Sequence, residues 1–412
     1  MRIAFYGNIC NIFYQIAKAV RGCSDIDAHL FVNATDHLQF LPESDDPELS
    51  TSMPDWIHRG DYQHRGWFIA PWKSSLVSQL NKFDLIVTGD MGPIVAQFAG
   101  RPMVFFAMGG DLTAYPFPFR FLYLYSTWKD RAGVVMKGFW QRRALHRMKE
   151  IWAHPLPMNL HALRDLQIDA RRIATTYFPV VLDSRKMVFR PQPRFIPEAL
   201  LPSPDNPNPF FVFHPTRIQI DDYSAKGAEG QGKGNLFLFR GFADFIHNYD
   251  AKNARLVLID RDTVMDTPKA KRWFAENGLA NHVIWLTPPR ASGFTRNELI
   301  DIYSACDVVA DQFSEQGGFG CIALEACSCS RPVVIRINTD YISKLYPWHP
   351  FLEAASPSEI TSRLAEMFFS PQSRREKGLR SRQWIEQFHS YEATGPLYAT
   401  RLRQLIETAS AV

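Results

Sequence analysis

The sequence predicts an α/β protein built from two doubly wound domains, on three observations. Short apolar runs alternate with longer helical patterns through the first half, the rhythm of a parallel sheet with crossover helices. Between Pro191 and Pro209 seven of nineteen residues are proline, which excludes helix and reads as a linker. Beyond it the same rhythm restarts, and a chain of 412 residues is too long for one ordinary core.

In the first half the expected strands are 3–5, 28–32, 85–88, 103–106 and 151–153. After the linker they are 210–213, 256–259, 283–286, 308–310 and 333–335, and the segment from about 380 to 411 reads as helices. The boundaries that follow are 1–190 for a first Rossmann-like domain, 191–209 for the linker, 210–380 for a second Rossmann-like domain, and 381–412 for terminal helices. Two such domains flanking a cleft are the simplest architecture.

Composition narrows the class. A chain 46% hydrophobic and 21% charged describes a soluble globular protein, and no run approaches the 18 apolar residues of a membrane span. The opening Met1-Arg-Ile-Ala-Phe-Tyr-Gly7 enters a strand pattern at once, without the regions of a signal peptide. Cys10, Cys23, Cys306, Cys321, Cys327 and Cys329 lack zinc-site spacing and sit in apolar patterns, as reduced thiols do. A cytoplasmic location follows by default, and a net charge of +4 is too small to imply nucleic acid.

The most informative stretch runs from Asp311 to Ile335: a glycine-rich turn, a short helix carrying Glu325, then a buried strand. Gly317, Gly318 and Gly320 let the backbone approach a ligand closely, and the helix tip points N–H groups and a positive dipole end at it. Such a turn suits a phosphate, and a carboxylate one helical turn further in can grip sugar hydroxyls. A nucleotide or nucleotide-sugar site is the expectation.

This stretch resembles the signature of retaining GT-B glycosyltransferases of the family-4 type, also called glycosyl transferases group 1. Gly318, Phe319, Gly320, Glu325, Ala326, Cys329 and Pro332 fall in register with it. The first Glu of the family's Glu-x7-Glu pair falls on Gly317, so that carboxylate is either supplied by Glu315 or absent, and the usual Gly after the helix is Ser330. The resemblance implies the GT-B fold, with terminal helices crossing back to the first domain. It also implies that Glu325 holds the donor ribose, that the backbone of Gly317, Gly318, Phe319 and Gly320 contacts the donor, and that Thr287, beside 286–288, lies near the base.

Arg217, in Phe-His-Pro-Thr-Arg, and Lys233-Gly, sixteen residues later, resemble the family's two cations that clamp the donor diphosphate. As the anomeric bond breaks, charge grows on the leaving diphosphate, and fixed cations stabilise that state most. Arg offers a planar fork and Lys a point charge. The loop 221–232 between them, rich in glycine and charge, is read as closing over the donor. Arg217, Lys233 and Glu315 are therefore the catalytic candidates.

In the first domain Gly7 and Asn8 follow the opening strand, and Asn8 is read either as a contact to phosphate or acceptor or as a simple turn. Gly110 and Asp111 follow the strand 103–106 at its carboxyl end, where ligands bind in open α/β sheets. Relatives place a His in this region; here positions 108 and 109 are Met and Gly, and Asp111 remains a candidate for a sugar hydroxyl. Two Asp-x-Asp sequences, 25–27 and 260–262, are weak metal signals against this pattern, and no metal is expected.

Between 117 and 150 eight Lys or Arg face only Asp130 and Glu150, interleaved with Phe117, Phe119, Phe121, Tyr123, Tyr125, Trp128, Phe139 and Trp140. This mixture suits an anionic membrane surface or, equally, a helix with a buried aromatic side. The expected function is a metal-independent, retaining, hexosyltransferase-like glycosyltransferase, without cofactor. It would move a sugar from a UDP- or GDP-linked donor to a glycan or lipid-linked hydroxyl acceptor, in the cytoplasm or at the inner membrane face. A nucleotide-sugar epimerase or hydrolase, or a non-catalytic partner of the same fold, are the alternatives.

Overall fold

The computed structural model describes residues 1–63, 66–220, 232–260, 266–314 and 317–410. The chain forms two compact units, Met1–Val181 with His389–Val412, and Leu182–Phe388. In the first, strands β1 (Arg2–Tyr6), β2 (Asp27–Asn33), β3 (Ile57–Gly60), β4 (Leu85–Thr88), β5 (Met103–Phe106) and β6 (Glu150–Trp152) pair in the order β3-β2-β1-β4-β5-β6. All pairings are parallel, with Phe5 opposite both Leu30 and Val87. Strands buried on both faces read as continuous apolar runs, and Ile3, Ala4, Phe5 and Tyr6 are all buried.

The second unit carries β7 (Phe210–His214), β8 (Ala254–Ile259), β9 (Val283–Leu286), β10 (Val308–Ala310), β11 (Val333–Ile335) and β12 (Leu352–Glu353), in the order β12-β11-β10-β7-β8-β9. Counted from its own first strand, this is the strand order of the first sheet over again. Each sheet therefore reverses direction of growth once, between β1 and β4 and between β7 and β10. The carboxyl ends at those two points are where open α/β sheets bind ligands.

All ten expected strands are present within two residues of their anticipated ends, and two edge strands, β3 and β12, are added. The expected linker is fixed to the second unit, where Phe195 N donates to Asp301 Oδ2 and Asn206 Nδ2 to Asn253 O, each at 3.1 Å. Residues 182–190, expected in the first domain, also belong there, and Met187 O accepts from Ser328 Oγ at 2.5 Å. The helix Pro371–Phe388 also belongs to that unit, where the fully buried Trp384 meets the rings of Phe319, Tyr346 and Phe351.

The chain returns to the first unit at His389, whose Nδ1 donates to Val180 O at 2.7 Å. The final helix, Tyr391–Ser410, packs on the helix Ile12–Cys23. Tyr398 donates to Pro179 O at 2.7 Å, and the Arg401 fork grips both oxygens of Glu150 at 2.9 and 2.8 Å.

Candidate active site

At the reversal point of the second sheet β7 and β10 end side by side, and their last residues are tied together. His214 Nδ1 donates to Ala310 O at 2.8 Å, while its Nε2 accepts from Asn235 Nδ2 at 2.8 Å. That pattern fixes one neutral tautomer, and burial pushes the His214 pKa down to about 4. Asn235, first in the helix Asn235–Tyr249, also donates to Arg217 O at 3.2 Å and accepts from Gln219 N at 2.9 Å. The main chain around Arg217 is thereby held, while the residue itself is exposed.

Lys233 reaches the same place from the far end of the segment 221–232. Its ammonium donates to Gln312 Oε1 at 2.8 Å, and Gln312 Nε2 donates on to Gly318 O at 2.6 Å. Burial lowers the Lys233 pKa, the buried Asp311 carboxylate opposes that shift, and the Arg217 guanidinium adds to it. The two candidate cations therefore lie within electrostatic reach of each other. Gly234 is required where it stands: its φ is +65°, and a Cβ would lie 2.6 Å from the Phe313 carbonyl.

Asp311, just past β10, is a functional candidate that the sequence reading did not isolate. Its Oδ1 accepts from Thr216 Oγ1 at 3.0 Å, and its Oδ2 is buried with no hydrogen-bond partner among the described residues. Burial raises its pKa; Lys233, the Thr216 hydroxyl and the Gly320 N–H pull the other way. A carboxylate directly after a strand, at the start of a glycine-rich turn, was the available signal.

The glycine-rich turn leads into the helix Cys321–Ser328 with Gly320 as its cap residue. Gly317 has φ +60°, and a Cβ there would meet Asn338 N at 2.4 Å. Gly317 O in turn accepts from Asn338 N at 2.7 Å. Position 317 is thus built for glycine, which accounts physically for the missing Glu. Glu315 lies outside the described residues, as do 221–231 of the anticipated closing loop. Phe319 packs its ring against Phe351 at 5.5 Å and Trp384 at 5.7 Å, pinning the turn.

Glu325 is buried, as its apolar neighbours imply, and already has partners: the Arg296 guanidinium and the Tyr303 hydroxyl at 3.0 Å. Arg296, at the start of the helix Arg296–Ala305, has no counterpart in the sequence reading. Thr287 lies exposed just beyond the edge strand β9, two strands away from β7.

In the first unit the candidates are occupied by their own main chain. Gly7 has φ +95°, and a Cβ would lie 2.1 Å from Gly89 O, so the loops after β1 and β4 cross here. Asn8 is buried; its Oδ1 accepts from Phe13 N and Tyr14 N at 3.0 and 3.1 Å, and its Nδ2 donates to Phe40 O at 2.7 Å. It caps the helix Ile12–Cys23, the turn-building alternative of the sequence reading. Asp111, next to Gly110 in a one-turn helix, accepts from Met108 N, Asp90 N and Leu112 N at 3.0 Å. Burial and the neighbouring Asp90 push its pKa up to about 7.

Asp90, at φ +48° after β4, is a partly exposed acid at this end of the sheet, as is Asp36 after β2. Of the Asp-x-Asp sequences, Asp25 pairs with Arg403 at 2.5 Å, and Asp27 with Arg21 and His29 at 2.9 Å. Asp260 pairs with Lys271 at 2.6 Å, while Asp262 lies outside the described residues. Among the described residues no group of three His, Cys, Asp or Glu is arranged to hold a metal ion.

No family model and no curated protein matches the chain. Solved structures do match over its full length. Anabaena HepE in complex with UDP and glucose aligns with TM-score 0.61 at 17% identity, covering 100% of both chains. Sucrose-phosphate synthase from Thermosynechococcus elongatus aligns at 0.63 and 15%, covering 99% and 100%, and a glycosyltransferase from Rickettsia africae at 0.63 and 13%, covering 98% of each. With its two six-stranded parallel sheets, the chain has the two-domain α/β fold of the GT-B glycosyltransferases.

Proposed function

We propose that the protein is a metal-independent, retaining glycosyltransferase that moves a sugar from a nucleotide-diphosphate sugar to a hydroxyl of a glycan or lipid-linked acceptor. The observation that carries this reading is the gathering of Arg217, Lys233 and the glycine-rich helix tip at one reversal point of the second sheet. The fold shared with HepE, whose solved complexes contain UDP and UDP-glucose, favours a UDP-linked donor over a GDP-linked one.

In this reading Arg217 and Lys233 meet the diphosphate, and an arriving dianion favours the protonated Lys233 that burial alone disfavours. As the anomeric C–O bond breaks, the bonding pair stays on the phosphate oxygen, and the two cations stabilise it. The same phosphate oxygen accepts the proton of the acceptor hydroxyl as the new C–O bond forms on the same face. No side chain acts as nucleophile. The chain is assigned to the cytoplasm, with the second unit holding the donor and the first the acceptor.

A second reading has an observation of its own. Gly317 leaves no room for the family's first Glu, and Glu325 is already engaged by Arg296 and Tyr303. Both suit a non-catalytic nucleotide-binding partner. Thermal-shift titration with UDP, GDP and their sugars, followed by transfer assays on the best donor, separates the two. A melting shift with UDP and turnover is expected; a shift without turnover for any acceptor supports the partner protein, and no shift with any nucleotide defeats both.

A further inference from the structure

We infer that the outer face of the helix Trp128–Leu145 docks on an anionic lipid bilayer. The helix buries Gly138, Gln141, Ala144 and Leu145 against the first unit. Its opposite face would ordinarily be polar. Instead Trp128, Ala132, Met136 and Phe139 follow one another at intervals of three and four residues, which aligns them on one stripe. Trp128 is 73% exposed and Phe139 59%. A helix that is apolar on its solvent side as well as its buried side has an unmet surface to cover.

The neighbouring segments extend that stripe on both sides. On one edge Pro118 fits against Gly138, where a Cβ would meet its ring at 2.6 Å, and it carries Phe119, 73% exposed, alongside. On the other edge Trp140 donates to Phe68 O at 3.1 Å and touches the ring of Trp72, bringing Ile69 and Trp72 to the helix with both side chains exposed. Exposed apolar side chains from three chain segments thus meet at this helix.

Charge identifies the occupant. Arg131, Arg142 and Arg143 flank the stripe, and across 117–150 eight cations face two acids. Glu150 is paired with Arg401, Arg120 with Asp165 at 2.7 Å, and the Lys149 ammonium is bonded to Leu405 O, which leaves Lys129, Arg131, Lys137, Arg142, Arg143 and Arg147 against Asp130. The Arg143 guanidinium lies over the Trp140 ring at 5.3 Å and that of Arg142 over Phe117 at 5.9 Å, and both residues are exposed, so the cations border the aromatic rings directly. Apolar anchors ringed by cations match the interface of an anionic leaflet, with rings at the headgroup boundary and guanidinium groups on the phosphates. Among the described residues no helix is long and apolar enough to cross a membrane, so the contact is one of lying on the surface.

Co-sedimentation of the whole chain with phosphatidylglycerol–phosphatidylcholine vesicles tests this without reference to any enzymatic activity. Binding at low salt that weakens with added salt is expected, with little binding to phosphatidylcholine alone. Arg142→Gln with Arg143→Gln should lower the affinity about 25-fold, at roughly fivefold per cation near the surface. Trp128→Ser with Phe139→Ser should abolish the part of the binding that survives high salt. Both pairs replace exposed residues, and an unchanged melting temperature checks that the fold is intact. No pelleting with anionic vesicles at low salt overturns the inference. So does vesicle binding that both double variants retain. Failure with vesicles together with retention of single-stranded oligonucleotide, or with a dimer that the variants dissociate, assigns the face to another occupant.

Discussion

Arg296 and Glu325 form an ion pair in the second unit, with side chains only 14% and 6% exposed. The second carboxylate oxygen accepts from Tyr303, so the acid that should hold a ribose is satisfied before any ligand arrives. Removing one partner of such a pair leaves a buried charge, whereas removing both does not.

Arg296→Met is expected to cost about 3–5 kcal/mol of stability, and Arg296→Met with Glu325→Leu to be more stable than that single variant. Urea unfolding of the three proteins reads both. If Glu325 also holds the nucleotide, Glu325→Ala weakens nucleotide binding by about 1.5–3 kcal/mol, measured by calorimetry. Unchanged affinity would leave the residue a purely structural role.

Loss of either clamp cation has a different signature. Arg217→Ala and Lys233→Met should each lower kcat/KM for transfer by about 100- to 1,000-fold, the range for one preorganised charge stabiliser. Gln312→Leu, which releases the Lys233 ammonium and the Gly318 carbonyl but keeps both cations, should cost less than either. Wild-type-like turnover of Arg217→Ala would remove that residue from the mechanism.

Gly317→Glu puts the family carboxylate back at its usual position. The left-handed backbone and the Asn338 amide 2.4 Å from the new Cβ predict a loss of about 1–3 kcal/mol and no gain in activity. A variant that melts like the parent and transfers faster would show that the turn can yield.

Stability should depend on pH through buried groups of opposite sense. His154, His214 and His389 have pKa values pushed down to about 4 by burial, so between pH 6.5 and 4 the unfolded chain binds more protons and stability falls as pH falls. Asp111, pushed up to about 7, holds a proton in the fold that the unfolded chain has lost, so its contribution falls as pH rises from 4 to 7. The two effects oppose each other. Asp111→Asn should therefore steepen the acid-side loss, by at most about 1.4 kcal/mol per pH unit. Urea midpoints between pH 4.5 and 7 measure the slope; an unchanged slope would assign Asp111 an ordinary pKa.

The sheets were largely legible because buried parallel strands leave uninterrupted apolar runs, as in 85–88 and 333–335. β3 and β12 were not, because an edge strand such as Ile57-His-Arg-Gly60 buries one residue and pairs through its backbone. The departure at Gly317 was visible, but its cause lies twenty-one residues away, at Asn338. Asn8 and Asp111 have the residue types of ligand contacts. Nothing local in the sequence signals that main-chain N–H groups already occupy them. Arg296 gave no sign, since a cation at a helix start is ordinary until a buried acid is found opposite it.

The helix Tyr391–Ser410 completes the first unit although the whole of the second separates it from the rest. During synthesis the first sheet emerges early but cannot complete its packing until the helix Tyr391–Ser410 has been made. Until then Trp152 and Phe178 lack the Tyr398 ring that lies against them, and Glu150 lacks Arg401. The second unit, Leu182–Phe388, is continuous in the chain and has no such wait, so all of its contacts are available before those of the first unit are complete.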